Sequence, residues 1–156
     1  MTRKLAFCLV FLAALASAAD AATFEMRGKT IQMRGQIAAA DPLRLSRLIE
    51  QGARSIVLES PGGLVAAGSY MADLIRTAGL KTIVRADCAS ACTMMFYAGT
   101  SRVLTGRLGF HKATDAVGTT NYAAQMKRYG APREAVRAVT MTPAGEMTWL
   151  DADLDR

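Results

Sequence analysis

Between residues 55 and 86 the chain reads as strand, glycine turn, helix, strand, and this pattern constrains the fold more than any other feature. Residues 55–59 form a short apolar run, and Ser60-Pro61-Gly62-Gly63 makes a sharp turn. Residues 64–78 then carry Leu64, Ala67, Met71, Leu74 and Ile75 on one helical face, and Gly79 closes the helix before a second strand over 81–86. Two strands joined through a helix lie parallel, with a right-handed crossover. The chain is therefore expected to be α/β around a parallel sheet.

The flanks agree with one compact domain. Residues 24–37 alternate around Arg27-Gly28-Lys29 and read as a hairpin or two short strands. Asp41-Pro42 opens a helix with Asp41 as N-cap, Leu45, Leu48 and Ile49 as its apolar stripe, and Gly52 as its end. Further on, an apolar helix over 93–98 ends at Gly99, and two short strands surround Thr105-Gly106 within 102–111. Residues 121–129 and 132–139 read as helices. The 156 residues are 51% hydrophobic and 21% charged, which suits a single folded domain and excludes a disordered chain.

The first residues have another purpose. Arg3 and Lys4 precede an apolar run from Leu5 to Ala16, and Ala16-Ser17-Ala18 offers small residues for cleavage. The run is too short for a membrane-spanning helix, which needs about 20 residues. Residues 1–18 are thus expected to be a signal peptide for the Sec route, and 19–156 the mature domain, periplasmic, with no membrane span after removal of the signal. Loss of Arg3 and Lys4 lowers the formal charge from +6 to +4. The remaining basic residues are scattered, so no nucleic acid partner is expected.

Cys8 leaves with the signal, and Cys88 and Cys92 remain as a close pair suited to a disulfide in an oxidising compartment. Two buried small apolar residues are the plainer reading of the pair. Four residues along a regular helix advance about 6 Å, so a bridge requires Cys88 to lie in the turn before the helix.

Three features could carry chemistry. The Gly62-Gly63 turn lets a carbonyl approach the backbone and leaves amide hydrogens pointing outward. Ser90, between Ala89 and Ala91, starts a helix after a strand, where the Ala91 N–H can point at an oxyanion. On local grounds an N-cap serine is the commoner reading. His111 is the sole histidine and the one residue able to act as a base at neutral pH. A zinc site from Cys88, Cys92 and His111 lacks a clear fourth ligand, so neither a metal nor a cofactor is expected. All three features fall at carboxyl ends of strands, where open α/β sheets form their sites. Serine, histidine and two backbone donors are the minimum for acyl transfer.

Their order carries a resemblance. Glu59-Ser60-Pro61-Gly62-Gly63, a helix, a strand, Ala89-Ser90-Ala91, an apolar helix ending Ala98-Gly99, then Arg107-Leu108-Gly109-Phe110-His111 resembles the Clp protease proteolytic subunit and the wider Clp/crotonase superfamily. Gly35-Gln36-Ile37 resembles the family's early strand end, and the likeness covers residues 31–112. It is closest to small exported Clp-like proteins with a Cys-Ala-Ser-Ala-Cys motif. The resemblance implies stacked β-β-α units with a mainly parallel sheet. It implies Ser90 as nucleophile, His111 as general base, oxyanion donors at the N–H groups of Gly63 and Ala91, and Gly62 lining the substrate turn.

The chain departs from the pattern in its last third. The family's third catalytic member is an Asp shortly before an aromatic-Leu pair that opens a late helix. Trp149-Leu150 resembles that pair, but Thr142-Pro143 stands where the Asp should be. Glu146 is out of register, and Asp151, Asp153 and Asp155 lie past the aromatic. Two functions from different classes are then open: a serine peptidase-like hydrolase with a Ser/His dyad, or an inactive relative that binds a peptide or partner protein in the same groove. Peptide or protein is the expected substrate, and a homo-oligomer is allowed. The stretch from His111 to Trp149 is much shorter than in the protease, where it builds the handle used for ring stacking, which argues against a double heptameric ring. An exported chain would meet no cytosolic ATPase partner.

Overall fold

A computed structural model describes residues 21–151, and the expected βαβ unit lies at its centre. Strand β3 (Ser55–Ser60) leads through helix α2 (Val65–Thr77) to strand β4 (Lys81–Ala89), and the two strands pair in parallel. Ile56 and Leu58 alternate inward along β3, and Ala67, Met71, Ala72 and Ile75 make the buried stripe of α2. Strands β1 (Thr23–Arg27) and β2 (Thr30–Arg34) form the expected antiparallel hairpin, and β2 continues the sheet in parallel with β3.

Helix α1 (Asp41–Glu50) comes after β2. Asp41 does not occupy the cap as expected, because Ala40 does. Asp41 is instead the first helical residue, and its carboxylate accepts the Ala38 N–H at 2.7 Å. The carboxylate thus ties the incoming loop to the helix, where acidic charge is favoured by the exposed N–H groups.

After β4 comes α3 (Ala91–Ala98), all eight residues of which are buried. A helix that is apolar all round belongs inside a domain, and this one lies at the heart of the core. Strands β5 (Ser101–Leu104) and β6 (Arg107–Phe110) both pair with β4 in parallel, β5 along Lys81–Val84 and β6 along Asp87–Ala89. The division arises from an irregularity in β4. Leu58 pairs with Val84, but Ser60 pairs with Cys88, so β4 spends extra residues against β3. Such a bulge bends a strand and re-aims the residues beyond it. Here the residues beyond it, Asp87–Ala89, pair with β6.

Helices α4 (Ala116–Arg128) and α5 (Arg133–Met141) cover the end of the molecule. Strand β7 (Thr148–Asp151) closes the sheet, antiparallel to β6. Trp149-Leu150 therefore opens no late helix, contrary to expectation. The pair sits in register with Gly109 and Leu108, and aromatic residues favour a pleated surface. Arg107 stacks over the Trp149 ring with its guanidinium carbon 4.2 Å from the centroid, which fixes the pairing further.

The sheet has seven strands in the order β1-β2-β3-β4-β6-β7, with β5 beside β4, and is mainly parallel. A β-β-α run occurs twice, as β1-β2-α1 and β5-β6-α4. The expected signal peptide and cleavage site fall outside the described residues. No helix among the described residues is long and apolar enough to cross a membrane.

Candidate active site

The turn after β3 is built to leave one amide free. Ser60 is buried, and its Oγ accepts the Gly62 N–H at 3.0 Å. The Gly62 carbonyl then accepts the Ile37 N–H at 2.8 Å, and the Ile37 carbonyl accepts the Leu64 N–H at 3.0 Å. Gly63 lies between those two bonds, and its own N–H has no partner among the described residues. Gly62 and Gly63 have φ of 97° and 143°, in the region that favours glycine. A β-carbon on Gly63 would stand 2.3 Å from the Ile37 carbonyl oxygen.

Ser90 stands across from this turn, at the junction of β4 and α3. It is the one non-glycine residue with positive φ among the described residues, with φ 52° and ψ −127°. Such a conformation persists only when the surroundings impose it. They do: the Ser90 N–H donates to the Gly109 carbonyl at 2.8 Å, and its carbonyl accepts the Thr93 N–H at 2.9 Å. Ser90 occupies the N-cap position of α3, yet its side chain makes no capping hydrogen bond. The plain N-cap reading is therefore set aside. The residue is 7% exposed, and its hydroxyl is bonded to no described residue.

Cys88 and Cys92 form a disulfide across this junction, with their α-carbons 5.4 Å apart. Cys88 is in β4 and Cys92 in α3, so the bridge does not lie along one regular helix. Both cysteines are fully buried.

His111 comes directly after β6 and is half-buried. Its Nδ1 lies 2.6 Å from the Lys112 carbonyl oxygen. A carbonyl only accepts, so the Nδ1 carries the proton, and in the neutral ring the lone pair is on Nε2. No hydrogen bond joins His111 to Ser90. Thr142 is close by, since its carbonyl accepts the Lys112 N–H at 2.9 Å, but its hydroxyl is engaged with Thr148 Oγ1 at 2.7 Å. Asp151 pairs with Arg107, at the far end of β6 from His111. Asp87 also faces Arg107, whose two-point hydrogen bond holds the Asp87 carboxyl below its ordinary range. Neither carboxylate orients the imidazole.

Gly63 and His111 line one groove of about 850 Å³ between the start of α2, the loop after β6, and α4. Its rim carries Leu64, Tyr70 and Val117, which are 49%, 60% and 70% exposed. At its far end α2 and α4 are latched together: Arg128 lies 3.0 Å from the Asp73 carboxylate, and the Tyr129 hydroxyl donates to the same group. Burial pushes the Tyr129 phenol up to about 12. Sequence reasoning began this wall at residue 121 and missed only the first turn of α4, which is poor in helix formers. Asp115, which caps that helix by accepting the Gly118 N–H at 2.7 Å, is the signal that could have found it.

The structure thus brings Gly62, Ser90 and Ala91 together, and Gly63 and His111 onto one groove. No family model and no curated protein matches the sequence. Among solved structures, the fold is similar to that of a ClpP1 mutant from Listeria monocytogenes. The TM-score is 0.63 at 19% sequence identity, over 80% of this chain and 83% of that one. At that identity the likeness establishes the fold, an α/β domain like that of ClpP1, and nothing finer.

Proposed function

We propose that this chain is a serine peptidase-like hydrolase that cleaves peptide bonds in the groove beside α4. The observation that carries the reading is Ser90: an uncapped hydroxyl on a strand-to-helix turn with φ of 52°. A strained strand-to-helix turn is a place where a nucleophilic serine can sit. In the proposed reaction Ser90 Oγ attacks the substrate carbonyl carbon, and His111 Nε2 takes its proton. The N–H groups of Gly63 and Ala91 receive the oxyanion. Collapse expels the amine, which takes the proton from His111, and water then releases the acyl group by the same route. His111 must approach Ser90 when substrate binds, and catalytic hydrogen bonds commonly tighten only in the complex.

Export belongs to the same proposal. Residues 1–18 act as the leader, the domain begins at residue 19, and it works in the periplasm. The apolar run after Arg3-Lys4 and the buried Cys88–Cys92 disulfide support this. Unfolded or extended peptide is the partner, and self-association is compatible with the reading.

A second reading has its own support. The imidazole leans on a backbone carbonyl and not on a carboxylate, and it makes no hydrogen bond to Ser90. A groove that binds peptide without cleaving it would look the same. Fluorophosphonate labelling of the mature protein separates the two. Labelling that disappears in Ser90→Ala supports the hydrolase. Peptide binding without any labelling supports the binding module.

A further inference from the structure

Beneath Ser90 lies a pair of buried hydroxyls that the proposed chemistry does not use. Thr93 is in the first turn of α3 and Tyr122 is in α4; both are fully buried. Their hydroxyl oxygens are 2.6 Å apart. Thr93 Oγ1 also lies 2.9 Å from the carbonyl oxygen of Ser90. A hydroxyl at such depth is costly unless bonded.

The direction of the bonds is settled by counting protons. Each hydroxyl owns one. Tyr122 has Thr93 Oγ1 as its hydrogen-bond partner among the described residues. If Thr93 donated to Tyr122, the phenol proton would be buried without an acceptor, at the full desolvation cost. The satisfied arrangement runs from the Tyr122 O–H to Thr93 Oγ1, and from the Thr93 O–H to the Ser90 carbonyl. Met126 Sδ, 3.7 Å from Thr93 Oγ1, is the weaker acceptor. Burial raises the Tyr122 phenol far above its ordinary value, so it remains a donor at any working pH.

The Ser90 carbonyl and the Ala91 N–H belong to one planar trans peptide and point in opposite directions. With the carbonyl held by both the N–H and the O–H of Thr93, the direction of the Ala91 N–H is fixed as well. We propose that Thr93, backed by Tyr122, is a positioning residue that locks the Ser90–Ala91 peptide plane and so aims the Ala91 N–H at the oxyanion. The catalytic consequence rests on the hydrolase reading above; the lock on the peptide plane does not.

The experiment compares Thr93→Val, which keeps the shape and loses the hydroxyl, with Thr93→Ser, which keeps the hydroxyl, and with Tyr122→Phe. Two readouts are taken: the rate of fluorophosphonate labelling, and the orientation of the Ser90–Ala91 peptide in crystals of each variant. Losing an oxyanion donor costs roughly 10²–10³ in rate, so misaiming one in Thr93→Val should slow labelling by about tenfold or more. Thr93→Ser should recover to within about threefold, and Tyr122→Phe should fall between. The peptide plane should turn in Thr93→Val and return in Thr93→Ser. Wild-type labelling with an unturned peptide in Thr93→Val would overturn the proposal. If the wild type does not label, the hydrolase reading fails, and the peptide plane alone decides: turned supports the lock, unturned refutes it. Should Thr93→Val fail to fold, Tyr122→Phe decides. A wild-type rate and plane there refute the relay, and a slowed rate or turned plane supports it.

Discussion

Gly62 lies so close to Ser90 that a β-carbon on the glycine would stand 2.6 Å from the β-carbon of the serine. The same atom would lie 2.8 Å from the Ala89 carbonyl oxygen. The two turns that make up the candidate site are thus packed backbone to backbone, and neither can be altered alone.

Gly62→Ala should therefore separate them. The substitution adds a clash to a φ of 97°, and overpacking together with left-handed strain costs about 2–4 kcal/mol. Chemical denaturation should show that loss, and fluorophosphonate labelling should fall to background even in the fraction that remains folded.

Ser90→Ala and His111→Ala should each cost as much as the double variant, on the order of 10⁴-fold, because in the proposed mechanism the pair acts as a unit. Peptide hydrolysis across the three variants reads this directly. Costs that add across the two sites would remove His111 from the mechanism.

Removing the disulfide should cost less stability than removing one that closes a long loop. The loop it closes is only a few residues long, and loop entropy gives it about 2 kcal/mol at most. Cys88→Ala with Cys92→Ala should unfold slightly earlier than wild type. Thiol labelling of the folded protein, without reductant, should find neither cysteine free.

Tyr129 should leave a mark at alkaline pH. Its phenol is raised from 10.0 in the unfolded chain to about 12 in the fold, chiefly by burial. A raised value means the contribution to stability is complete below the unfolded value and is lost as pH climbs from about 10 toward about 12. Stability measured by denaturation across that window should fall in the wild type, and fall less steeply in Tyr129→Phe.

Much of the fold could be read from the chain because its signals are local. Ile56 and Leu58 alternate, Gly62-Gly63 breaks the strand, and Gly79 stops the helix, each within a few residues of the element it defines. The elements that escaped were set at a distance. Thr148-Trp149-Leu150 becomes a strand only because β6 offers an edge to it. The first turn of α4 contains Val117, Gly118 and Thr119, weak helix formers that fold as helix once Asp115 caps them and Tyr122 is anchored in the core. At Ser90, propensity pointed to a helix cap. Its backbone, at positive φ, is held by a hydrogen bond to Gly109, far along the chain, which no local pattern encodes.

Strand β6 ties the two halves of the candidate pair together. Gly109 holds the backbone of Ser90 through its carbonyl, and His111 is two residues further along the same chain. The spacing between the two groups is accordingly written in peptide bonds, which every amino acid supplies. Side chains around it can drift almost without limit while the spacing stays. A single insertion or deletion between 109 and 111 would undo at once an arrangement that many substitutions leave intact. Along lineages of such a domain, the length of this short stretch should change far more slowly than its composition.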